Sequence, residues 1–317
     1  MNVRKILVSG ATGQQGSAAV NAIIESNMPF EILALTRDPT SSAAQALAAK
    51  SKRVTLLQGD LNNCRDIFIK TGGRGSVYGV FSVQMPAFGQ KNVPNDIEQI
   101  QGCNLVDAAL EAGVQHFVYS SVDRGGNNSG NNPTNVPHFA SKHLVEKHLI
   151  AAVSDTSKNS KNMIYTILRP TAFYENLTPD LKGKGFAAMW KNMGKTLQLV
   201  GTHDIGTFAS LALNHPESGI YRNSAISLAG DELTQTQGSQ IFLKVFGRKM
   251  PISFSLLGNL VQFFVPELGT MFKWFSEVGY KADVNDCRRL NPSMQSFETW
   301  LERESKFRKW VNWIRWG

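Results

Sequence analysis

The first sixteen residues constrain this chain more than any other stretch. A short apolar run, Ile6-Leu-Val8, leads into Gly10-Ala-Thr-Gly13-Gln-Gln-Gly16, and residues 17–26 follow with Val20, Ile23 and Ile24 at helical spacing. Strand, glycine-rich turn and helix in this order predict the opening of a βαβ unit. Such a turn must be tight, must let a bound group approach the backbone closely, and must aim the free amides of the helix start at an anion. Side chains at Gly10, Gly13 or Gly16 would block one or another of these contacts. The ligand that fits is the pyrophosphate of a dinucleotide. Gln14 and Gln15, inside the turn, count with the glycines as groups expected to contact it.

The alternation continues. Strands are expected at 32–35, 54–57, 77–83, 116–120 and 164–168, the last stopped by Pro170. Asn95-Asp-Ile-Glu98 has the form of a capping box opening a helix that ends at Gly113. Residues 124–137, rich in Gly, Asn and Pro, read as loop only, and a helix follows over 138–152. The expected fold is α/β: a Rossmann-type parallel sheet with helices on both faces, plus a smaller C-terminal α/β substrate region. Residues 1–170 form the first domain in this reading. Residues 171–317, with helices over 204–213 and 237–246 and only short strands, supply the substrate or partner side of the cleft.

Composition narrows the function. The net charge is +8 from 33 basic and 25 acidic residues, and the excess is spread over the second half without interleaved aromatics in one helix or loop. Direct nucleic-acid binding is therefore not expected, whereas anionic small ligands are. Cys64, Cys103 and Cys287 stand apart, which fits a reducing compartment. A strand beginning almost at Met1 leaves no room for a leader peptide, so a cytoplasmic location, or a nuclear one, is expected. The apolar stretch 254–265 is interrupted by Asn259 and Gln262 and closed by Pro266, so it predicts a buried helix and no transmembrane segment. His203-Asp204 lacks the further histidines of a metal site, and no metal is expected. The tail 307–317, with basic residues and tryptophans alternating, reads as a terminal helix packing one or two tryptophans, or as a helix for a partner or membrane surface.

Within the first domain the ends of the strands carry the candidates. Arg37 follows the second strand, where an acidic residue would bind a ribose 2′-hydroxyl and an arginine suits a 2′-phosphate, so the cofactor expected is NADP(H). Asp38, one residue on, would reverse that preference if it held the position. Asp60 stands either beside the adenine or as the cap of a helix over 62–70. Gln84, with Met85 and Pro86, would border the nicotinamide. Ser120 and Ser121 end the fifth strand, where they either orient a substrate carbonyl or cap the strand.

Taken together, Gly10–Gly16, Thr36-Arg-Asp-Pro39, Gln58-Gly-Asp60, His138-Phe-Ala-Ser-Lys142 and Arg169-Pro-Thr-Ala-Phe-Tyr-Glu-Asn-Leu177 resemble the NmrA-like family, atypical short-chain dehydrogenases/reductases. The likeness extends through Asp204-Ile-Gly206, Leu290-Asn-Pro292 and Phe297-Glu-Thr-Trp-Leu301. It implies a pocket between the two parts. Carried over by position, Gly10, Thr12, Gly13, Gly16 and Arg37 would hold the phosphates and Lys142 would reach the nicotinamide ribose. Tyr174 and Asn176 match positions flanking the substrate pocket. The family holds both reductases and redox sensors.

Ordinary short-chain dehydrogenases place Tyr-x-x-x-Lys on one helix face, the lysine lowering the tyrosine pKa for proton exchange. Here His138 stands at the tyrosine position and Lys142 is kept. Three readings follow. His138 or Tyr174 replaces the tyrosine in an NADPH-dependent oxidoreductase of a small carbonyl, enone or quinone-like compound; the site binds NADP(H) without turnover and occupancy regulates a transcription factor or enzyme; or His138 only starts the helix. The first is the main expectation. The partner is then a small-molecule substrate, or in the second reading a regulated protein.

Overall fold

A computed structural model describes residues 3–86, 94, 96–159, 161–253 and 266–309. Two compact units are formed from interleaved segments. The first takes Met1–Val122, His138–Arg169 and His203–Ile226; the second takes Asp123–Pro137, Pro170–Thr202 and Ser227–Gly317. The chain thus passes between the units near residues 123, 138, 170, 203 and 227.

In the first unit β1 (Arg4–Val8), β2 (Phe30–Thr36), β3 (Val54–Gln58), β4 (Gly79–Ser82), β5 (His116–Ser120) and β6 (Ile164–Pro170) alternate with helices. The sheet order is β3-β2-β1-β4-β5-β6, continued by a strand over Ser224–Leu228. The pairs from β3 to β6 are all parallel. Parallel strands covered on both faces must be apolar throughout. Accordingly Ile6, Leu7, Val8, Val80, Phe81, Phe117 and Val118 are fully buried. The chain winds one way from β1 and the other way from β4, so the carboxyl ends of these neighbours mark the switch point where ligands bind in open α/β sheets. Ser9, just past β1, closes the two strands together: its hydroxyl donates to Val83 O at 3.0 Å and its amide to Phe81 O at 2.9 Å.

The helices are α1 (Gln14–Glu25), α2 (Ser42–Ala48), α3 (Cys64–Lys70), α4 (Ile97–Glu111), α5 (Pro137–Ser154), α6 (Leu181–Met193), α7 (Thr202–Asn214) and α8 (Gln235–Phe246), with further helices over Pro266–Glu277, Val284–Leu290 and Phe297–Arg303. The sequence reading overlooks α2, although Ser41 caps it by accepting from the Ala44 amide. It also takes 62–70 as one helix, where a 3-10 turn over Leu61–Asn63 precedes α3. Residues 124–137 are not plain loop. They contain a 3-10 helix, Gly126–Asn131, organised around the buried Asp123 carboxylate, which accepts from the amides of Gly125, Gly126 and Lys281. Asn95, the expected start of the capping box at 95–98, lies outside the described residues; α4 has Asp96 as N-cap without a side-chain cap bond, and Glu98 is buried. Gly113 does end α4, with φ +72°.

The second unit carries a three-stranded sheet in which Leu197–Val200 lies between Ala172–Phe173, parallel to it, and Asp231–Leu233, antiparallel. No helix among the described residues is long and apolar enough to cross a membrane. The stretch 254–265 and the tail from 310 lie outside the described residues.

Candidate functional site

The turn after β1 shows why Gly10 and Gly16 are needed. Gly10 has φ +57°, a left-handed conformation that side chains disfavour, and a Cβ there would meet Val83 Cγ1 at 3.0 Å. A Cβ on Gly16 would stand 2.1 Å from Gly10 O, so α1 can run this close under the turn only with glycine. Gly13 donates to Gly10 O at 2.8 Å and is the N-cap of α1, with no side-chain cap. Helix starts normally recruit a Ser, Thr, Asp or Asn oxygen for their orphan amides. Here no side chain takes that place, and Thr12, Gly13 and Gln14 are exposed around the positive end of the helix at the switch point. These residues fit a dinucleotide pyrophosphate.

At the end of β2, Arg37 and Asp38 are both exposed, but only Asp38 is committed. Its Oδ1 accepts from the Thr40 amide at 2.8 Å and hydroxyl at 2.6 Å, and these bonds hold its carboxyl below the usual range. Asp60 accepts from the Asn62 amide at 2.8 Å through Oδ1, the capping contact, which leaves Oδ2 for any other role.

The carboxyl ends of β4, β5 and β6 hold a buried polar cluster. Lys142, on the second turn of α5, has its Nζ 2.8 Å from Glu98 Oε1, with side-chain exposures of 10% and 1%. It also donates to Ser120 O at 3.4 Å and stands 5.9 Å over the Tyr119 ring. Ser120 donates its hydroxyl to Gln15 Oε1, so the glycine turn and β5 are joined directly. Ser121 instead donates to Glu146, which takes a two-point ion pair from Arg169 at 2.7 and 3.1 Å. Ser121 is thus committed to a buried pair that fixes α5 on β6. Gln84 is 4% exposed; its amide nitrogen donates to Ser82 Oγ at 2.9 Å, while Oε1 is buried without a hydrogen-bond partner.

His138 lies partly buried one turn before Lys142, edge-on to the Phe139 ring with centroids 4.5 Å apart. Tyr174 belongs to the second unit and is fully buried between Phe297 and Trp300, its hydroxyl 3.4 Å from Asp231 Oδ2. Asn176 is exposed there at the end of a 3-10 turn. The structure therefore brings together Gln15, Ser120 and Lys142 but gives Tyr174 a packed interior position. It adds Glu98, Glu146 and Arg169, which the sequence reading does not assign to the site. Two signals for them exist: Glu146 follows Lys142 by four residues on one helix face, and Glu98, Gly102 and Leu105 form the buried stripe of α4. Among the described residues no group of His, Cys, Asp or Glu is arranged to hold a metal.

Sheet order, switch point and glycine turn define an α/β protein of the Rossmann type. More particularly, the chain belongs to the NmrA-like family, which matches residues 2–314. An NmrA-like family domain-containing oxidoreductase of Penicillium ochrochloron is 29% identical over 178 residues, which span 56% of this chain and 46% of that protein. Among solved structures, the Citrobacter triphenylmethane reductase superposes with a TM-score of 0.68 at 22% identity, covering 95% of this chain and 99% of that one. The negative transcriptional regulator NmrA, solved with NAD, gives a TM-score of 0.68 at 17% identity and 98% coverage of each chain. The expected fold and family are both met.

Proposed function

We propose that the first unit binds NADP(H) and that the protein is an NADPH-dependent oxidoreductase of a small carbonyl, enone or quinone-like compound. The observation that carries the reading is the uncapped, glycine-lined start of α1 at the switch point. Its amides, with Thr12, would hold the pyrophosphate. The Arg37 guanidinium would take the 2′-phosphate in a charge-assisted contact, and Asp60 Oδ2 the adenine amino group. Lys142 would donate to the nicotinamide ribose hydroxyls, and Gln84 would border the ring. Bound there, the cofactor supplies a hydride. Acceptors whose reduced anion is stable, such as quinones and enones, need no tyrosine to protonate them, which suits a site with His138 at that position. The reductase among the similar structures and the oxidoreductase among the relatives support this reading.

The rival reading is a non-catalytic NADP(H) sensor that regulates a partner protein. It is favoured by the missing tyrosine and by the edge-on packing of His138 against Phe139. The test is to follow cofactor absorbance as purified protein meets NADPH and a panel of quinones, enones and carbonyls. The oxidoreductase reading expects substrate-dependent oxidation that Lys142→Ala abolishes. Tight NADPH binding with no oxidation across the panel would establish the sensor instead.

A further inference from the structure

Lys142 does not stand alone in its site. Glu98, in the first turn of α4, faces it with only 1% of its side chain exposed. A carboxylate taken out of water at this cost persists only with a cation beside it, and removing one partner of such a pair is strongly destabilising to the other. The ammonium lies 2.8 Å from Oε1, the distance of a charge-assisted hydrogen bond, and both Glu98 oxygens are fully buried. An ammonium has three donors. One goes to Ser120 O. A second faces Glu98 Oε1, which leaves the third for a ligand.

The other groups around Lys142 do not replace this partner. Tyr119 offers its ring face at 5.9 Å. Glu146, one turn further along α5, is committed to Arg169 and Ser121, and His138, one turn before, packs on Phe139.

We propose that Glu98 is a positioning residue for Lys142: its buried carboxylate keeps the ammonium at the carboxyl edge of β5, ready to donate to the ribose of a dinucleotide. The proposal rests on the NADP(H) reading of the site. Without the carboxylate, a nearly buried ammonium is left with one carbonyl and leaves this place.

The test is a double-mutant cycle in NADPH binding, read by cofactor fluorescence and independent of turnover. Wild type, Glu98→Gln, Lys142→Met and the double variant are titrated, with melting curves to establish folding. Glu98→Gln is expected to weaken NADPH binding about tenfold when Lys142 is present and less than about twofold in the Lys142→Met background, the signature of coupled neighbours. Glu98→Asp, which keeps the charge on a shorter stem, is expected to restore part of the loss; if Glu98→Gln does not fold, Glu98→Asp is read in both backgrounds by the same criterion. Equal losses in both backgrounds, or no loss in either, overturn the role of Glu98. A wild-type protein that binds no NADPH overturns the dinucleotide reading itself, a separate and recognisable failure.

Discussion

Arg37 and Asp38 are neighbours at the end of β2 with opposite commitments: the Asp38 carboxylate is turned onto Thr40, while the Arg37 guanidinium makes no hydrogen bond or ion pair to the described residues. The carboxylate that would bind a 2′-hydroxyl is occupied in a local turn, and the cation that suits a 2′-phosphate is left to solvent. Arg37→Ala is therefore expected to weaken NADPH binding by about 10- to 100-fold, the range of one charge-assisted contact, while NADH binding changes less than about threefold. Parallel titrations with the two cofactors check this. Equal losses for both would mean that Arg37 does not read the phosphate.

Gly16 and Gly185 make a matched pair of substitutions. A Cβ on Gly16 would fall 2.1 Å from Gly10 O, whereas one on Gly185 in α6 meets nothing within 4 Å. Gly16→Ala is expected to destabilise the protein by about 1–3 kcal/mol, because backbone must move to admit it. The same change should abolish measurable NADPH binding. Gly185→Ala should raise stability by about 0.5–1 kcal/mol through reduced chain entropy. Urea unfolding of both variants decides the matter, and a Gly16→Ala protein that melts and binds like wild type would contradict the geometry of the turn.

His116 predicts a pH dependence of stability. It is fully buried, its Nε2 lies 2.8 Å from Thr166 Oγ1, and burial, reinforced by the charge of Arg222, holds its pKa down from 6.5 to about 4. Above 6.5 neither the folded nor the unfolded chain binds a proton there, and its contribution is complete. Between 6.5 and about 4 only the unfolded chain does, so stability falls as pH falls, by up to about 3 kcal/mol in total. Below that window the effect levels off. Chemical unfolding from pH 4 to 8 should show this slope in wild type and lose it in His116→Gln. Matching slopes in the two proteins would mean that other groups carry the dependence.

The parallel sheet and its glycine turn are legible in the sequence because both rest on local signals. Apolar runs of strand length, the Gly10–Gly16 spacing and the helical period of α1 each report a structure formed by neighbouring residues. The second unit is not, because its sheet joins a two-residue strand at Ala172–Phe173 to a three-residue strand at Asp231–Leu233 through a segment between them. Strands so short carry no period. Glu98 shows the same limit within the site. Its position three residues after Asn95 fits a local cap, but its partner, Lys142, is on another helix and no nearby residue announces it. Tyr174 carries a family likeness that says which position it holds, while its full burial between Phe297 and Trp300 depends on a helix far along the chain.

Calorimetric titration of the purified protein with NADPH and, separately, with NADH tests the NADP(H) assignment most directly. One NADPH is expected per chain, bound at least about tenfold more tightly than NADH, the preference expected of an arginine that pairs with the 2′-phosphate. No heat of binding with either cofactor, or tighter binding of NADH, would rule the assignment out.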